Sequence, residues 1–577
     1  MKKILCFLMM LMLAMTLMLV ACNQQEQQGS EQGSGGETTQ LEPSGELEFK
    51  SNGNGSCSVI SIGTYTGTAL DIPGKSPEGE IVISIGDEAF LDCTSLTSLT
   101  IPDSVSKIGN SAFEGCTGLT SLVIPGSTTT IFSNAFIGCA GLESITVNEE
   151  NPSYYSEENC LIEKNGNAVI LGCKNSKIPD DVRHIYSNAF SGCIGLTSIV
   201  IPDSVTKIEN GAFAGCTGLE SITVGEGNPA YYSQGNCLIE KETDTLIAGC
   251  KSSQIPNSVK AIDSGAFRGC SGLTSIFIPV GVTDISWQAF IGCSGLTSIS
   301  VSEDNPEYYS QGNCLITKAG NRLALGCKTS EIPDGVEEIG MGAFYGCSTL
   351  TSIVIPDSVT YIGMYAFWDC TGLTDVAIGK GVTSIELNAF CNCTDLRSIS
   401  IPNNVETIGA GAFLGCTGLM SVTIPDSVTR IGESAFARCT SLESVTVSEE
   451  NPVYFSAGNC VITKESNVLI LGCKTSIIPD GVISIGEYAF VQCTELTSIV
   501  IPDSVTEIGN SAFRGCTGLT SITIPDSVTS VGHIAFNDCD NLTNVYFAGS
   551  IEKWKVLAKE ASIPETATIH YNYVPEE

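Results

Sequence analysis

A 23-residue phrase repeats through most of this chain, and no other feature constrains its folding so tightly. The first clear copy, LTSLTIPDSVSKIGNSAFEGCTG, begins at Leu96, and the next begins at Leu119. A unit this short cannot bury its own apolar side, so stability must come from stacking one unit on the next around a shared core. In the first copy the apolar positions are Leu96, Leu99, Ile101, Val105, Ile108, Ala112, Phe113 and Cys116. The opening Leu-x-x-Leu-x-Ile has the alternation of a short half-buried strand. Pro102-Asp103 ends it, because proline cannot serve an interior ladder. The run from Val105 to Ile108 predicts a second extended piece, and Gly109 permits the corner after it. Ala112-Phe113-x-x-Cys116 then closes the coil as one helical or 3₁₀ turn. Stacked coils would set successive strands about 4.7–4.9 Å apart.

The period is interrupted at four places, where one ladder cysteine is 54 residues from the next: 139 to 193, 216 to 270, 293 to 347 and 439 to 493. Aligning Ile178-Pro179 with the usual Ile-Pro puts Cys173 at the leading Leu position, and Cys250, Cys327 and Cys473 fall likewise. Each interruption is then a coil of 31 residues followed by one of 23. Fourteen coils of 23 and four of 31 account for every residue from Leu96 to Asn541, which predicts one uninterrupted solenoid. The long coils begin at Leu142, Leu219, Leu296 and Leu442, three coils apart except for one vacant slot at Leu373. Residues 48–95 read as an N-terminal cap with an irregular first coil, and residues 542–577 as a C-terminal cap. In the latter a helix around Ile551–Glu560, with Trp554 on its apolar side, precedes a last strand near Thr568–Tyr571.

The N-terminus reads as an address. Met1-Lys2-Lys3 is followed by an apolar run of 17 residues from Ile4 to Val20, short for a membrane span of about 20 residues. Leu19-Val20-Ala21-Cys22 resembles the bacterial lipobox, which implies removal of residues 1–21 and lipidation of Cys22. A plain signal peptide or a retained anchor helix is the alternative. Two acyl chains on Cys22 would suffice for stable anchoring. Residues 22–47, rich in Gln, Gly, Ser and Glu, form a tether that cannot bury a core. Lys and Arg total 27 against 63 Asp and Glu, a formal charge of −36. Nucleic acid is excluded as a partner, because its phosphates need basic surfaces.

The phrase LTSIxIPDSVTxIGxxAFxGCTG resembles the BspA-like (Treponema pallidum type) leucine-rich repeats of bacterial surface proteins, over about residues 57–573. The Asn-Pro-x-Tyr-Tyr long coils and the closing Phe547…Trp554…Tyr571 stretch are similar to members of that group. The fold class expected is therefore a β-rich solenoid, a right-handed leucine-rich repeat coil with 23-residue repeats, four 31-residue coils and atypical caps. The resemblance also implies display on a bacterial cell surface and, for some members, adhesion to host matrix proteins or other bacteria. It supplies no catalytic residues.

Each candidate functional residue has an alternative packing role. Fifteen cysteines occupy one coil position (Cys93, Cys116, Cys139 and onward to Cys539), and their nearly parallel Cβ directions oppose the dihedral a disulfide needs. They read as buried small hydrophobes. Cys160 and Cys173, with the pairs 237/250, 314/327 and 460/473, flank hairpin-like turns; cross-strand disulfides and buried thiols both fit. Convergent metal-ligand spacing is absent, and no cofactor is expected. The sharpest ligand-binding candidates are Tyr154, Tyr155, Tyr231, Tyr232, Tyr308, Tyr309, Tyr454 and Phe455, on loops that lengthen a coil on one flank. Against this stands a packing role for one ring of each pair. A second candidate surface is the Ser/Thr face of the strands (Ser98, Ser121, Ser144, Ser198, Ser221). With three histidines (His184, His533, His570) and no point where histidines or carboxylates visibly break the repeat, the chain does not read as an enzyme. Three functions compete: a lipid-anchored adhesin for a protein or glycan on a host or bacterial surface, a structural spacer with no specific ligand, and a cell-surface enzyme such as a glycosidase, which has only surplus carboxylates in its favour.

Overall fold

The computed structural model describes residues 46–132 and 134–574. Cys22, the signal segment and all but the end of the tether lie outside the described residues. The fold is a β-solenoid. The chain divides into two compact units, one reaching Gly272 and including Asp284–Ala289, the other made of Leu273–Thr283 and everything from Phe290.

The same coil builds each unit. In the first, strand Ser198–Ile201 pairs in parallel with Ser221–Val224, each residue opposite the one 23 positions later. Ile199 and Ile201 point inward and are buried, whereas Ser198 and Val200 are exposed. Pro202 ends the strand, and its carbonyl accepts the Val205 N–H at 3.3 Å to close a turn. The second extended piece is only two residues long: His184–Ile185 pairs with Lys207–Ile208.

The Ala-Phe-x-x-Cys segment closes in single 3₁₀-type turns, one of the two forms expected, and does not run on as a helix. Isolated bonds such as Cys193 N–H to the Phe190 carbonyl (3.1 Å) alternate with bonds up the stack, Phe190 N–H to Ala212 and Gly192 N–H to Ala214, both 2.8 Å. An amide that bonds the neighbouring coil cannot also extend a helix in its own. Behind these turns the phenylalanine rings stack face to face. Phe344, Phe367, Phe390, Phe413 and Phe436 lie 4.9, 4.9, 5.4 and 5.2 Å apart. Each such pair contributes about 0.5–1.5 kcal/mol beyond area burial. The ladder cysteines do more than fill space. Cys216 donates its thiol hydrogen to the Phe190 carbonyl at 3.1 Å, and Cys370 does so to Phe344 at the same distance.

The long coils depart most from a simple stack. The first opens with strand Ser144–Val147, then forms a meander of Tyr154–Glu157, Cys160–Glu163 and Ala168–Leu171, paired antiparallel. The third strand of the meander pairs in parallel with His184–Ile185, returning the chain to the stack. The coil after it, starting at Cys173, has no first strand. Lys177 instead donates its N–H to Glu158 at 3.0 Å. On the turn side no layer is added: Gly138 N–H bonds the Ser191 carbonyl at 3.3 Å. The 31-residue coil is therefore a wedge rather than a full turn.

Each meander is also a wall. Cys160, Leu161 and Ile162 are all fully buried, yet Leu161 belongs to the core that begins at Cys57, and Cys160 and Ile162 to the next, which runs to Cys250. Near-identical runs, Cys-Leu-Ile or Cys-Val-Ile, form the other three walls because a strand buried on both faces must be apolar throughout. In the second unit the wall at Cys460–Thr463 separates two further cores in the same way. Where the wall rejoins the stack, glycine takes the phenylalanine slot. A Cβ on Gly172, Gly249, Gly326 or Gly472 would lie 2.0–2.1 Å from the ring of the next coil's phenylalanine.

The C-terminal segment contains helix Ile551–Leu557, shorter than the sequence suggested, with Trp554 and Leu557 buried, and strand Thr568–Tyr571. Ser550 caps the helix by accepting the Lys553 N–H.

Gly472→Ala should destabilise the second unit by about 1–3 kcal/mol through overpacking against Phe490. Phe490→Leu in the same chain should recover part of that loss in a denaturant melt.

Candidate functional site

The four meanders hold the eight aromatic ligand-binding candidates named from the sequence, and one asparagine organises each of them. Asn151 is buried, and all its side-chain valences are used. Its Nδ2 donates to the carbonyls of Pro125 and Thr128, both at 2.8 Å, and its Oδ1 accepts the N–H groups of Ser153 (2.9 Å) and Tyr154 (2.8 Å). Asn228, Asn305 and Asn451 repeat the pattern within 0.1 Å. A lysine on the meander covers the asparagine's own carbonyl: Lys164, Lys241 and Lys318 at 2.6 Å and Lys464 at 2.5 Å. Ser156 Oγ then accepts the Val147 N–H at 3.0 Å, tying the meander to the strand before it. Asn-Pro in the sequence signals a turn, but not that the amide reaches the preceding coil.

Strand alternation sends the two rings of each pair to opposite sides of the wall. Tyr154, Tyr231, Tyr308 and Tyr454 are buried in the preceding core, at 3–8% exposure. Their hydroxyls also serve the backbone: Tyr154 accepts the Ile131 N–H at 3.0 Å, Tyr231 that of Ile208 at 2.9 Å and Tyr454 that of Ile431 at 3.1 Å. Tyr155, Tyr232, Tyr309 and Phe455 are half-buried. Tyr155, Tyr309 and Phe455 lean on the following core. Tyr155 donates to Asn167 Oδ1 at 2.7 Å, and Tyr232 pairs with Ser258 Oγ at 3.3 Å. Burial, with the nearby Asp181 and Glu157 carboxylates adding to it, pushes the Tyr155 hydroxyl up to about 12. It remains a neutral donor at any physiological pH. The second members of the pairs are therefore the ones that present a face to solvent.

The cysteines beside the meander are thiols that bond backbone. Cys160 donates to the Lys177 carbonyl at 3.3 Å and Cys173 to that of Asn159 at 3.8 Å, and both are buried. Burial pushes the Cys160, Cys139 and Cys216 thiols up to about 12. The reactive thiolate is thus nearly absent at neutral pH. Among the described residues no group of three or more His, Cys, Asp or Glu is placed to hold a metal ion.

Around the first long coil the repeat does break, in a way the linear sequence hides. The register brings Tyr186 beside Glu163, its hydroxyl 3.0 Å from Oε2, and His184 Nε2 within 3.0 Å of Glu209 Oε1. Glu209 also accepts the Ser187 N–H at 3.1 Å and meets Lys207 Nζ at 2.9 Å. Burial raises the Glu209 pKa, but Lys207, the Ser187 amide and His184 outweigh it and hold the carboxyl below its ordinary value.

Parallel in-register coils around an Ile/Leu/Phe core, with aromatic loops at intervals, define a leucine-rich repeat protein. The family model described as BspA type leucine-rich repeat region matches residues 77–165, 162–236, 247–313, 324–446 and 471–570, and the chain belongs to that family, a bacterial surface-type one. Among solved structures it is similar to a leucine-rich cell surface protein of Faecalibacterium prausnitzii (30% identity over 71% of this chain and 95% of that one, TM-score 0.36). It is also similar to a leucine-rich repeat protein of Bacteroides ovatus (24% identity, 91% and 98%, TM-score 0.33). A third similar structure is the T. pallidum leucine-rich repeat protein (25% identity, 41% and 82%, TM-score 0.21). Comparison with curated proteins finds none that matches.

Removing the asparagine amide strands four buried backbone groups, each costing about 1–3 kcal/mol when unpaired. Asn228→Ala should therefore destabilise its meander by roughly 3 kcal/mol or more. Hydrogen exchange across residues 225–250 should accelerate well before the segment 96–125 is affected.

Proposed function

We propose that this protein is a lipid-anchored adhesin on a bacterial cell surface, binding a protein or glycan of a host or of another bacterium, with no catalytic activity. The observation that carries the reading is the set of half-exposed rings Tyr155, Tyr232, Tyr309 and Phe455. They recur on the same strand of each meander, which makes them a periodic aromatic feature of an exterior rich in Ser, Thr and acidic side chains, where other exposed rings such as Phe277 and Trp287 follow no such period. Tyrosine supplies rigid contact area with a polar tip at little entropic cost. Four such contacts on one partner gain by effective concentration even when each is weak. Among the described residues no helix is long and apolar enough to cross a membrane, and the anchor in this reading is lipid on Cys22.

The chain from residue 23 onward, which keeps every described residue, should bind at least one extracellular matrix protein or glycan in a surface-immobilised screen. Because these rings lean on a core, their role is best isolated by leucine, which preserves packing. Tyr155→Leu, Tyr232→Leu, Tyr309→Leu and Phe455→Leu together should weaken binding by tenfold or more, on the order of the multivalent gain. Each alone should cost a few-fold. A chain that binds nothing in the screen is a spacer, and a quadruple variant that binds normally moves the site to the strand face.

Cys22→Ala should release the protein from the membrane fraction. Retention in the membrane after washing with carbonate would mean that the apolar run from Ile4 to Val20 is itself the anchor.

A further inference from the structure

The first long coil differs from the other three around one cleft. At the register position of Tyr186 the later coils carry Asp263, Gly340 and Gly486, and at that of His184 they carry Ala261, Glu338 and Ser484. Phe132, on the coil before the meander, corresponds to Glu209, Ser286 and Gly432. The wedge shape of the long coil opens this space. The meander parts the coils on its own side, while Gly138 and Gly192 keep them in contact on the turn side. The resulting cleft has a volume of about 390 Å³. That lies within the ~300–1,000 Å³ of small-ligand sites, with room for one or two pyranose rings.

Four aromatic rings, Phe132, Phe136, Tyr154 and Tyr186, line the cleft together with the carboxylates of Glu163 and Glu209 and the amide of Asn188. The groups are held before any ligand arrives. Tyr186 is fixed by Glu163 and by ring contact with His184 at 4.4 Å. Phe132 is 43% exposed, with Lys107 Nζ 4.6 Å from its ring centroid. Flat ring faces suit the C–H side of a sugar, and fixed carboxylates and amides suit its hydroxyls, whose correct pairing gives specificity. An anionic ligand would meet two carboxylates. A cationic one would find Glu209 already paired with Lys207 and Glu163 already bonded to Tyr186.

We propose that this cleft is a carbohydrate-binding site for one or two neutral pyranose units of a surface glycan. The proposal rests on the reading of the protein as a surface-binding module, and adds to it a ligand class and a second location, apart from the half-exposed rings of the four meanders.

The test is a titration of the chain from residue 23 onward with methyl glycosides and disaccharides of neutral hexoses and N-acetylhexosamines, read by saturation-transfer NMR and calorimetry. At least one should bind. Phe132→Ala and Glu163→Gln should each weaken it by about tenfold, the loss of a packed face or a charge-assisted hydrogen bond. Thermal melts should stay unchanged, because neither side chain belongs to a core. The four-leucine variant of the meander rings should bind the sugar normally, so failure of the adhesin reading and failure of this one are distinguishable. Absence of binding to every neutral glycan would overturn the proposal. So would sugar binding that survives both substitutions, or capture of lysine-bearing peptides in place of sugars by the same residues.

Discussion

Everything in this molecule depends on backbone hydrogen bonding between residues 23 positions apart. Three separate parts of the coil make such bonds: the first strand, the two-residue strand and the Ala-Phe-x-x-Cys turns. Because the bonds are in register, identical side chains fall above one another. Isoleucine meets isoleucine, phenylalanine stacks on phenylalanine, and cysteines such as Cys116, Cys216 and Cys370 reach the phenylalanine carbonyl of the coil before, while Cys193 and Cys347, after a wall, reach a glycine carbonyl. The sequence repeats because the geometry leaves each position one environment, again and again. The cost is monotony. A surface built this way carries little information except where the register is disturbed.

The long coils are the disturbance, and they are engineered with unusual consistency. Each needs an asparagine to satisfy four backbone groups, a lysine to cover that asparagine's carbonyl, a tyrosine to bolt the wall to the coil before it, and a glycine to vacate the phenylalanine slot. These parts cooperate to insert a double-faced sheet into a single-cored stack. Once they are in place, the second aromatic of each pair has no choice but the other side of the wall. Which ring faces solvent and which joins the core are thus coupled through the alternation of one four-residue strand.

The repeat made the fold legible: the strand of Ile199 and Ile201, the inward phenylalanines and cysteines, the closing helix with Trp554 and the final strand all follow from periodicity and local composition. What the sequence hid was of two kinds. The Ala-Phe-x-x-Cys segment closes in 3₁₀-type turns as its spacing suggests, yet alternate amides, Phe190 and Gly192 among them, bond a neighbouring coil, a partner choice local pattern does not encode. Asn151 looks like a turn residue, and Gly172 like any glycine, because their decisive contacts are with carbonyls and a ring on other coils. The cleft is the extreme case. Phe132, Glu163 and Tyr186 come from three different segments, and the antiparallel meander with its parallel return to His184–Ile185 is what sets Glu163 beside Tyr186.

The partitioned core has a consequence for how such a gene can change length. Tyr154 and Tyr231 are 77 residues apart, and the interval between their two walls encloses a core of its own, from Cys160 to Cys250. A cassette bounded on both sides by walls can be gained or lost as a unit, and the junction still meets a surface shaped to receive it. The slot at Leu373, where a wall is missing, leaves one enlarged core from Cys314 to Cys473 that remains continuously packed. Heredity can therefore lengthen or shorten this molecule in modular steps, and display more or fewer aromatic loops, without designing a new interior each time.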